Sequence, residues 1–317
     1  MRVAILDDIH QAWEGTDGVR LLREYPGPPI QVRIFSAPFG DPVALRGFDA
    51  LIANRERTCF TRELLTELKD LRLIVQTGSH ASHIDFAAAE ECGIVVARAS
   101  AGGSIGAAEL AIGLAIAVMR RIPSNDAAVR RGEWNTPSTP VLHGKTLGIV
   151  GLGQVGRHVA RLANAFGMRV LACGRSLTDA AAKEAGTERR ELDDLLAEAD
   201  VVSIHAALTP ATRSLLDARR LALMKPGAWL VNTARGPIVD EAALIAALTE
   251  GRIAGAGLDV FDSEPLPFGH PLTRLPNVVL QPHIGYPTDD GYRRFADAAS
   301  RVLLDWLDGR EVPSFDH

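Results

Sequence analysis

Thr146-Leu-Gly-Ile-Val-Gly151-Leu-Gly153-Gln-Val-Gly156-Arg-His-Val-Ala160 is the stretch whose reading decides the fold of this chain. An apolar run, Leu147–Val150, meets three glycines spaced as GxGxxG, a helix is expected over Arg157–Phe166, and a second apolar run follows at Arg169–Cys173. Strand, tight turn, helix, strand is how a doubly wound parallel sheet begins. In such a turn the first glycine permits the bend, the second lets backbone approach a pyrophosphate, and the third lets the helix close on the strand. Gly151, Gly153 and Gly156 therefore predict a dinucleotide loop, with Gln154 and Val155 offering backbone N–H groups at the helix start. An ordinary glycine-rich β–α turn is the competing reading, weakened by the element order around it. The Walker lysine pattern is missing, which argues against an ATP-type loop.

Downstream, strands are expected at Val201–His205, Ala228–Asn232, Gly257–Val260 and Val278–Gln281, separated by helices near Leu192–Glu198, Ala218–Leu223 and Glu241–Thr249. Upstream, Val3–Leu6, Val32–Phe35, Ala50–Ala53, Leu73–Gln76 and Ile94–Ala97 read as strands and Thr61–Leu68 and Ile84–Glu91 as helices, a second α/β unit with a mainly parallel sheet. Gly102 and Gly103 punctuate the chain before a long apolar helix starting at Ser104, and Arg130–Pro140 reads as a connection. The final helix, over Asp290–Asp308, is expected to return to the first unit. That path makes residues 1–100 with 287–317 one domain and residues 101–286 a dinucleotide-binding domain inserted into it.

The composition narrows the classes of function. A chain of 317 residues with 47% apolar content has material for about two domains. Its 34 basic and 39 acidic residues give a net charge of −5 without a basic tail, so nucleic acid is a poor partner. Met1–Asp8 is too short in its apolar run for a secretory signal, and Leu110–Met119 is too short to cross a bilayer; no membrane partner is expected. Cys59, Cys92 and Cys173 lack CxxC spacing, which fits a reducing, cytoplasmic setting and no cysteine-based metal site. His80 and His83 find no third ligand of persuasive spacing, so no metal is expected.

Three segments after candidate strands carry complementary chemistry: Asn232-Thr-Ala-Arg235-Gly236, Asp262-Ser-Glu264-Pro265 and Gln281-Pro-His283-Ile-Gly285. Ligands of open α/β sheets lie beyond strand C-termini, so these segments can converge. Arg235 offers the forked donors that suit a carboxylate. An imidazole such as His283 exchanges a proton near neutrality, and Glu264 is suited to hold its other nitrogen. Each residue alone also reads as structural: a salt-bridging arginine, a strand-end histidine, a turn-capping glutamate. Asp259 is a further carboxylate, either orienting the site or capping its own turn. After the second nucleotide strand, Gly174 or Arg175 occupies the place where an acid often holds the ribose diol. Arg175 and Ser176 are there to meet a 2′-phosphate, so the cofactor is NAD or NADP, with NADP acceptance expected.

Taken together these motifs resemble the D-isomer-specific 2-hydroxyacid dehydrogenase family, of the phosphoglycerate dehydrogenase and glyoxylate or hydroxypyruvate reductase kind. The most specific stretches are Gly151–Gly156, Val231–Asp240, Gly257–Pro265 and Pro282–Gly285. The resemblance implies two Rossmann-like doubly wound domains with an active-site cleft between them, assembled as a homodimer through nucleotide-domain surfaces. It also implies hydride transfer between the cofactor and a small 2-keto or D-2-hydroxy acid, with Arg235 orienting substrate and His283–Glu264 as acid/base pair. By the same resemblance Asp259, His205, Ala206, Thr233, Ala234 and Gly285 border the cofactor, and Arg55, Ser79, His80 and Ala81 bind substrate. His80, Arg98 and Gly174 depart from the family pattern and leave substrate size and cofactor preference open. The alternatives are a non-catalytic NAD(H)-sensing, corepressor-like protein, and an alanine- or formate-dehydrogenase type activity on the same scaffold.

Overall fold

The computed structural model describes residues 1–37, 42–55, 57–78, 81, 83–100, 104–134 and 137–315, the side chains of residues 42 and 104 aside. The chain divides into two compact units, Met1–Gly103 with Pro287–His317, and Ser104–Tyr286.

The first unit is built from β1 (Arg2–Ile5), α1 (Asp17–Arg23), β2 (Gln31–Ile34), β3 (Ala50–Ala53), α2 (Arg62–Glu67), β4 (Leu73–Thr77), α3 (Phe86–Glu91) and β5 (Val95–Ala99). Its strands form one sheet in the order β2-β1-β3-β4-β5, every pair parallel. A parallel sheet covered on both faces needs continuous apolar runs, and β3 and β4 are buried at every position, whereas the edge strand β2 alternates. Ala4, Leu6, Leu51, Ala53 and Ile74 share a core with Leu64, Leu65, Ala88 and Ala89 of α2 and α3. The helix Asp289–Leu307 packs on α1, β4 and β5. Gly18 of α1 sits so close to the Ala296 carbonyl that any Cβ there would overlap it, which explains a glycine inside a short helix.

The second unit contains α4 (Ser104–Met119), α5 (Ile122–Arg130), β6 (Thr146–Val150), α6 (Gln154–Ala165), β7 (Arg169–Cys173), α7 (Asp179–Glu184), β8 (Glu188–Arg189), α8 (Leu192–Glu198), β9 (Val201–Ile204), α9 (Ala218–Leu221), β10 (Trp229–Asn232), α10 (Glu241–Thr249), β11 (Gly255–Leu258) and β12 (Val278–Leu280); α11 is the helix Asp289–Leu307 of the first unit. Its sheet runs β12-β11-β10-β9-β6-β7-β8, again all parallel. Alternate residues of one strand serve opposite cores. Val150, Leu171, Val202 and Leu230 join the helices α8 to α10, while Ile149, Val170, Val201 and Val231 join α4 and α6. The strand order reverses at β6, which pairs β7 on one side and β9 on the other, and ligands of open α/β sheets bind at such a switch point.

Both units are thus Rossmann-like α/β sheets. Helices α1, α5 and α7 were not expected from the sequence. Thr16 and Thr178 cap the first and last, accepting N–H groups of Val19 and Ala181; α1 reads as a loop through Gly18 and Pro26 beyond it, and α7 buries only Ala182, which leaves little apolar stripe to read. Helix α5 carries Pro123 in its first turn and buries no residue, so it has no apolar stripe to read.

Candidate active site

Gly151 turns the chain out of β6 at φ +99°, and its N–H donates to the Cys173 carbonyl at 2.9 Å. A Cβ at Gly151 would stand 2.7 Å from the Ala206 nitrogen. At Gly156 a Cβ would overlap the Gly151 carbonyl, so these two glycines are required by the packing itself. Gly153 differs: nothing lies within 4 Å of the place its Cβ would take. It precedes α6 as an N-cap without a side-chain hydrogen bond, leaving the first N–H groups of that helix without a side-chain acceptor among the described residues. Open space facing bare N–H groups at the start of a twelve-residue helix fits the pyrophosphate of a dinucleotide.

Around that turn, Gly174, Arg175 and Ser176 are exposed beyond β7. The side chains of Arg175 and Ser176 make no hydrogen bond or ion pair among the described residues. Burial pushes the Cys173 thiol up to about 11, so it stays protonated and inert. His205 follows β9, with Nε2 2.8 Å from Ser203 Oγ. Burial drives its imidazole down to about 3, so the ring is neutral, and its Nδ1 is buried without a partner among the described residues. The Thr233 hydroxyl is likewise buried and partnerless among the described residues. Two orphaned polar atoms beyond the C-terminal ends of β9 and β10 again fit a polar ligand on this edge of the sheet.

Arg235 lies one residue beyond a turn that Asn232 staples. Asn232 Oδ1 accepts the Ala234 N–H at 3.0 Å and its Nδ2 donates to the Arg235 carbonyl at 3.0 Å. Arg235 Nη1 donates to the Ala234 carbonyl at 2.7 Å. Gly236 is pressed on the Phe261–Asp262 peptide, where any side chain would overlap it. Asp259 is fully buried, and its oxygens accept the N–H groups of Ile284 and Gly285 at 2.7 and 2.9 Å. It therefore fastens the segment that carries His283. Burial raises its carboxyl above the usual range despite those two donors.

His283 adopts φ +56°, a left-handed conformation uncommon for a side chain with a Cβ and found preferentially where geometry is functionally constrained. Its Nδ1 is 2.6 Å from Glu264 Oε2, and the other Glu264 oxygen accepts the Phe261 N–H at 2.9 Å. Burial alone would raise the Glu264 carboxyl. The His283 hydrogen bond, the Phe261 donor and the positive charge of Arg235 outweigh burial and hold it below its ordinary value. Glu264 is thus ionised at neutral pH and fixes Nδ1 of the ring as a donor, with no partner at Nε2 among the described residues. A forked cation, an oriented imidazole and a nucleotide-type turn at the strand ends of one sheet suit hydride transfer coupled to proton transfer, with no nucleophile needed.

Arg55 and Ala81 belong to the first unit. Arg55 follows β3 at φ +65°, with its N–H on Thr77 Oγ1 at 2.9 Å and its guanidinium 5.8 Å from the Phe295 ring. Gly78, at φ +98°, leaves room for that guanidinium. Ala81 is buried; Ser79 and His80 lie outside the described residues. His83 packs against Phe60 at 6.2 Å, and among the described residues no three His, Cys, Asp or Glu side chains are grouped to hold a metal. No helix among them is long and apolar enough to cross a membrane.

Sequence reasoning missed a second histidine–carboxylate pair, His270 and Glu241, whose nitrogen and oxygen lie 3.1 Å apart. The residues are 29 positions apart, so no local spacing announces them.

Comparison with known proteins bears on this arrangement. Residues 112–285 match the family described as D-isomer specific 2-hydroxyacid dehydrogenase, NAD binding domain. A glyoxylate reductase of Thermofilum pendens is 40% identical over 259 residues, covering 80% of this chain and 76% of that protein. A D-3-phosphoglycerate dehydrogenase of Bacillus subtilis is 38% identical over 85% of this chain, which spans only 51% of its length. A crystal structure of a protein from Thermus thermophilus superposes with a TM-score of 0.87 at 38% identity, covering 99% of both chains.

Proposed function

Because the chain belongs to the D-isomer specific 2-hydroxyacid dehydrogenase family, as an NAD-dependent oxidoreductase, we propose that it interconverts a small 2-keto acid and the D-2-hydroxy acid with Arg235, Glu264 and His283 as its catalytic residues. The observation that carries this reading is the 2.6 Å contact of His283 Nδ1 with ionised Glu264, which leaves Nε2 without a partner among the described residues. Gly151, Gly153, Gln154, Val155 and Gly156 hold the dinucleotide, with His205, Ala206, Thr233, Ala234 and Gly285 beside it. The nicotinamide, when bound, supplies or accepts the hydride at the carbon bearing the substrate oxygen. Arg235 orients the substrate carboxylate and draws charge from its carbonyl. His283 Nε2 gives a proton to the developing alkoxide in reduction and takes it back in oxidation, and Glu264 stabilises the imidazolium. Asp259 holds the His283 segment from behind. Arg55, Ser79, His80 and Ala81 of the first unit are assigned to the substrate.

The exposed Gly174-Arg175-Ser176 corner, with no carboxylate to repel a 2′-phosphate, supports acceptance of NADP as well as NAD. Helix α5 and the segment after it support a homodimer: the helix buries no residue, its Ile122 and Val129 are 50% and 52% exposed, and Trp134 beyond it is 84% exposed. Three free thiols support a cytoplasmic setting. The test is a panel of chiral 2-hydroxy acids and 2-keto acids, glyoxylate and a phosphorylated acid among them, run with NAD(H) and NADP(H). Turnover confined to D-acids and their keto partners is expected. Measurable cofactor binding without turnover across the panel would instead favour a nucleotide sensor.

A further inference from the structure

The pair His270 and Glu241 stands behind the proton-transfer pair and has no part in the reaction as described. The two side chains are 17% and 21% exposed. The histidine tautomer follows from its other nitrogen. Nδ1 accepts the Leu272 N–H at 3.4 Å, capping the 3-10 turn Pro271–Arg274, so Nε2 carries the hydrogen and donates it to Glu241 Oε1. A neutral imidazole makes both contacts. The second Glu241 oxygen accepts the Asp262 N–H at 3.4 Å. Asp262 shares with Phe261 the peptide against which Gly236 is pressed, and Phe261 donates its own N–H to Glu264. A continuous run therefore passes from Leu272 through His270, Glu241 and the Phe261–Asp262 peptide to Glu264 and His283, with Arg235 joined to it through Gly236.

Capping the 3-10 turn needs only Nδ1 of His270. It does not explain why a glutamate of the first turn of α10 reaches to the peptide next to the one that orients Glu264. The placement also has an electrostatic cost, since burial and then the Glu241 charge push the neighbouring Asp262 carboxyl up. We propose that His270 and Glu241 are positioning residues for the hydride-transfer reaction, holding the Phe261–Asp262 peptide so that Glu264 keeps its register with His283. The proposal rests on His283 and Glu264 being the proton-transfer pair.

Two substitutions separate the nitrogens of His270. In His270→Asn the amide oxygen replaces Nδ1 and keeps the cap, but the side chain is too short to reach Glu241. In His270→Gln the amide nitrogen replaces Nε2 and keeps the Glu241 contact, but the cap is lost. Displacements of about 1 Å in a reacting site cost on the order of 100-fold, so one loosened tie is expected to lower kcat about tenfold in His270→Asn, with KM and NADH affinity within about twofold. His270→Gln is expected within about threefold of the parent. A parent-like kcat in His270→Asn, or an equal fall in His270→Gln, would overturn the proposal, because capping would then account for the residue. If His270→Asn fails to fold, Glu241→Gln reads the same tie, with a kcat about tenfold lower expected and a parent-like kcat contradicting it. His283→Gln, run alongside, separates the two claims: its parent-like turnover would remove the proton-transfer assignment, whereas its inactivity beside an unimpaired His270→Asn would remove the positioning role alone.

Discussion

After β6 the chain turns by leaving space, and after β10, β11 and β12 it turns by filling it. The first turn consists of three glycines and bare helix N–H groups, with no side chain among the described residues accepting from them. In the others Asn232, Asp259, Glu264 and Glu241 each commit a side-chain oxygen to a neighbouring backbone N–H. The difference follows from what each turn must present. A pyrophosphate brings its own negative charge and needs donors and room, so side chains there are obstacles. A proton-transfer pair must be held to within fractions of an ångström, and that takes fixed acceptors around it.

Substitutions that exchange the two strategies test the contrast, and the largest effect is expected where the filled turns end. His283→Gln is expected to lower kcat by roughly 10²–10⁴-fold with NADH affinity nearly unchanged, read by steady-state kinetics and fluorescence titration. The open turn is expected to split in two. Gly151→Ala puts a methyl group against Ala206 at a positive φ and should lower stability by about 1–3 kcal/mol in denaturant titration, together with cofactor affinity. Gly153→Ala meets no protein atom, so its denaturation midpoint should stay put while NADH binding weakens roughly tenfold. Equal loss of stability in both variants would mean that Gly153 serves packing, and the contrast would fail.

Asp259→Asn keeps one acceptor and turns a donor toward the other N–H. The His283 segment then loosens, and kcat is expected to fall about tenfold or more. There is a pH corollary. The Asp259 carboxyl is raised by burial, so the stability it contributes is present below its unfolded value and is lost as pH rises through its folded one. The variant should lose that part of the pH dependence of its melting temperature. The smallest effect is expected at the β7 corner. Gly174→Asp should disfavour NADP relative to NAD by about tenfold in kcat/KM, and an unchanged ratio would exclude this corner from cofactor choice.

The strands of both units were more legible than their short helices. Arg169–Cys173 is found at the expected bounds because a strand buried on both faces is a plain apolar run, and Leu192–Glu198 and Glu241–Thr249 are found at theirs between strands, where a doubly wound sheet requires helices. Strand β11 was expected two residues too late, since Gly255 and Ala256 carry little hydropathy, though Gly255 is needed where β11 passes Asn277. Helix α1 was missed because its glycine and the prolines after it suggest a loop, and its stability comes from packing on α11, nearly the whole chain away. In the site, the glycines and the residues Arg235, Glu264 and His283 stood out as chemistry beyond strand ends. What stayed hidden was how they are held. Asp259 reads either as orienting the site or as capping its own turn, and the residues it holds, 25 and 26 positions further on, are not legible locally. His270 and Glu241 meet only once β10 and β11 are paired.

The rate of D-2-hydroxy acid oxidation, compared between the parent and Glu264→Gln, tests the central claim most directly. Ionised Glu264 holds Nδ1 of His283 as the donor and stabilises the imidazolium that forms when Nε2 takes the substrate proton. The variant should therefore show a kcat about tenfold or more below the parent with NAD affinity nearly unchanged. A parent-like kcat would mean that the His283–Glu264 contact takes no part in the proton transfer.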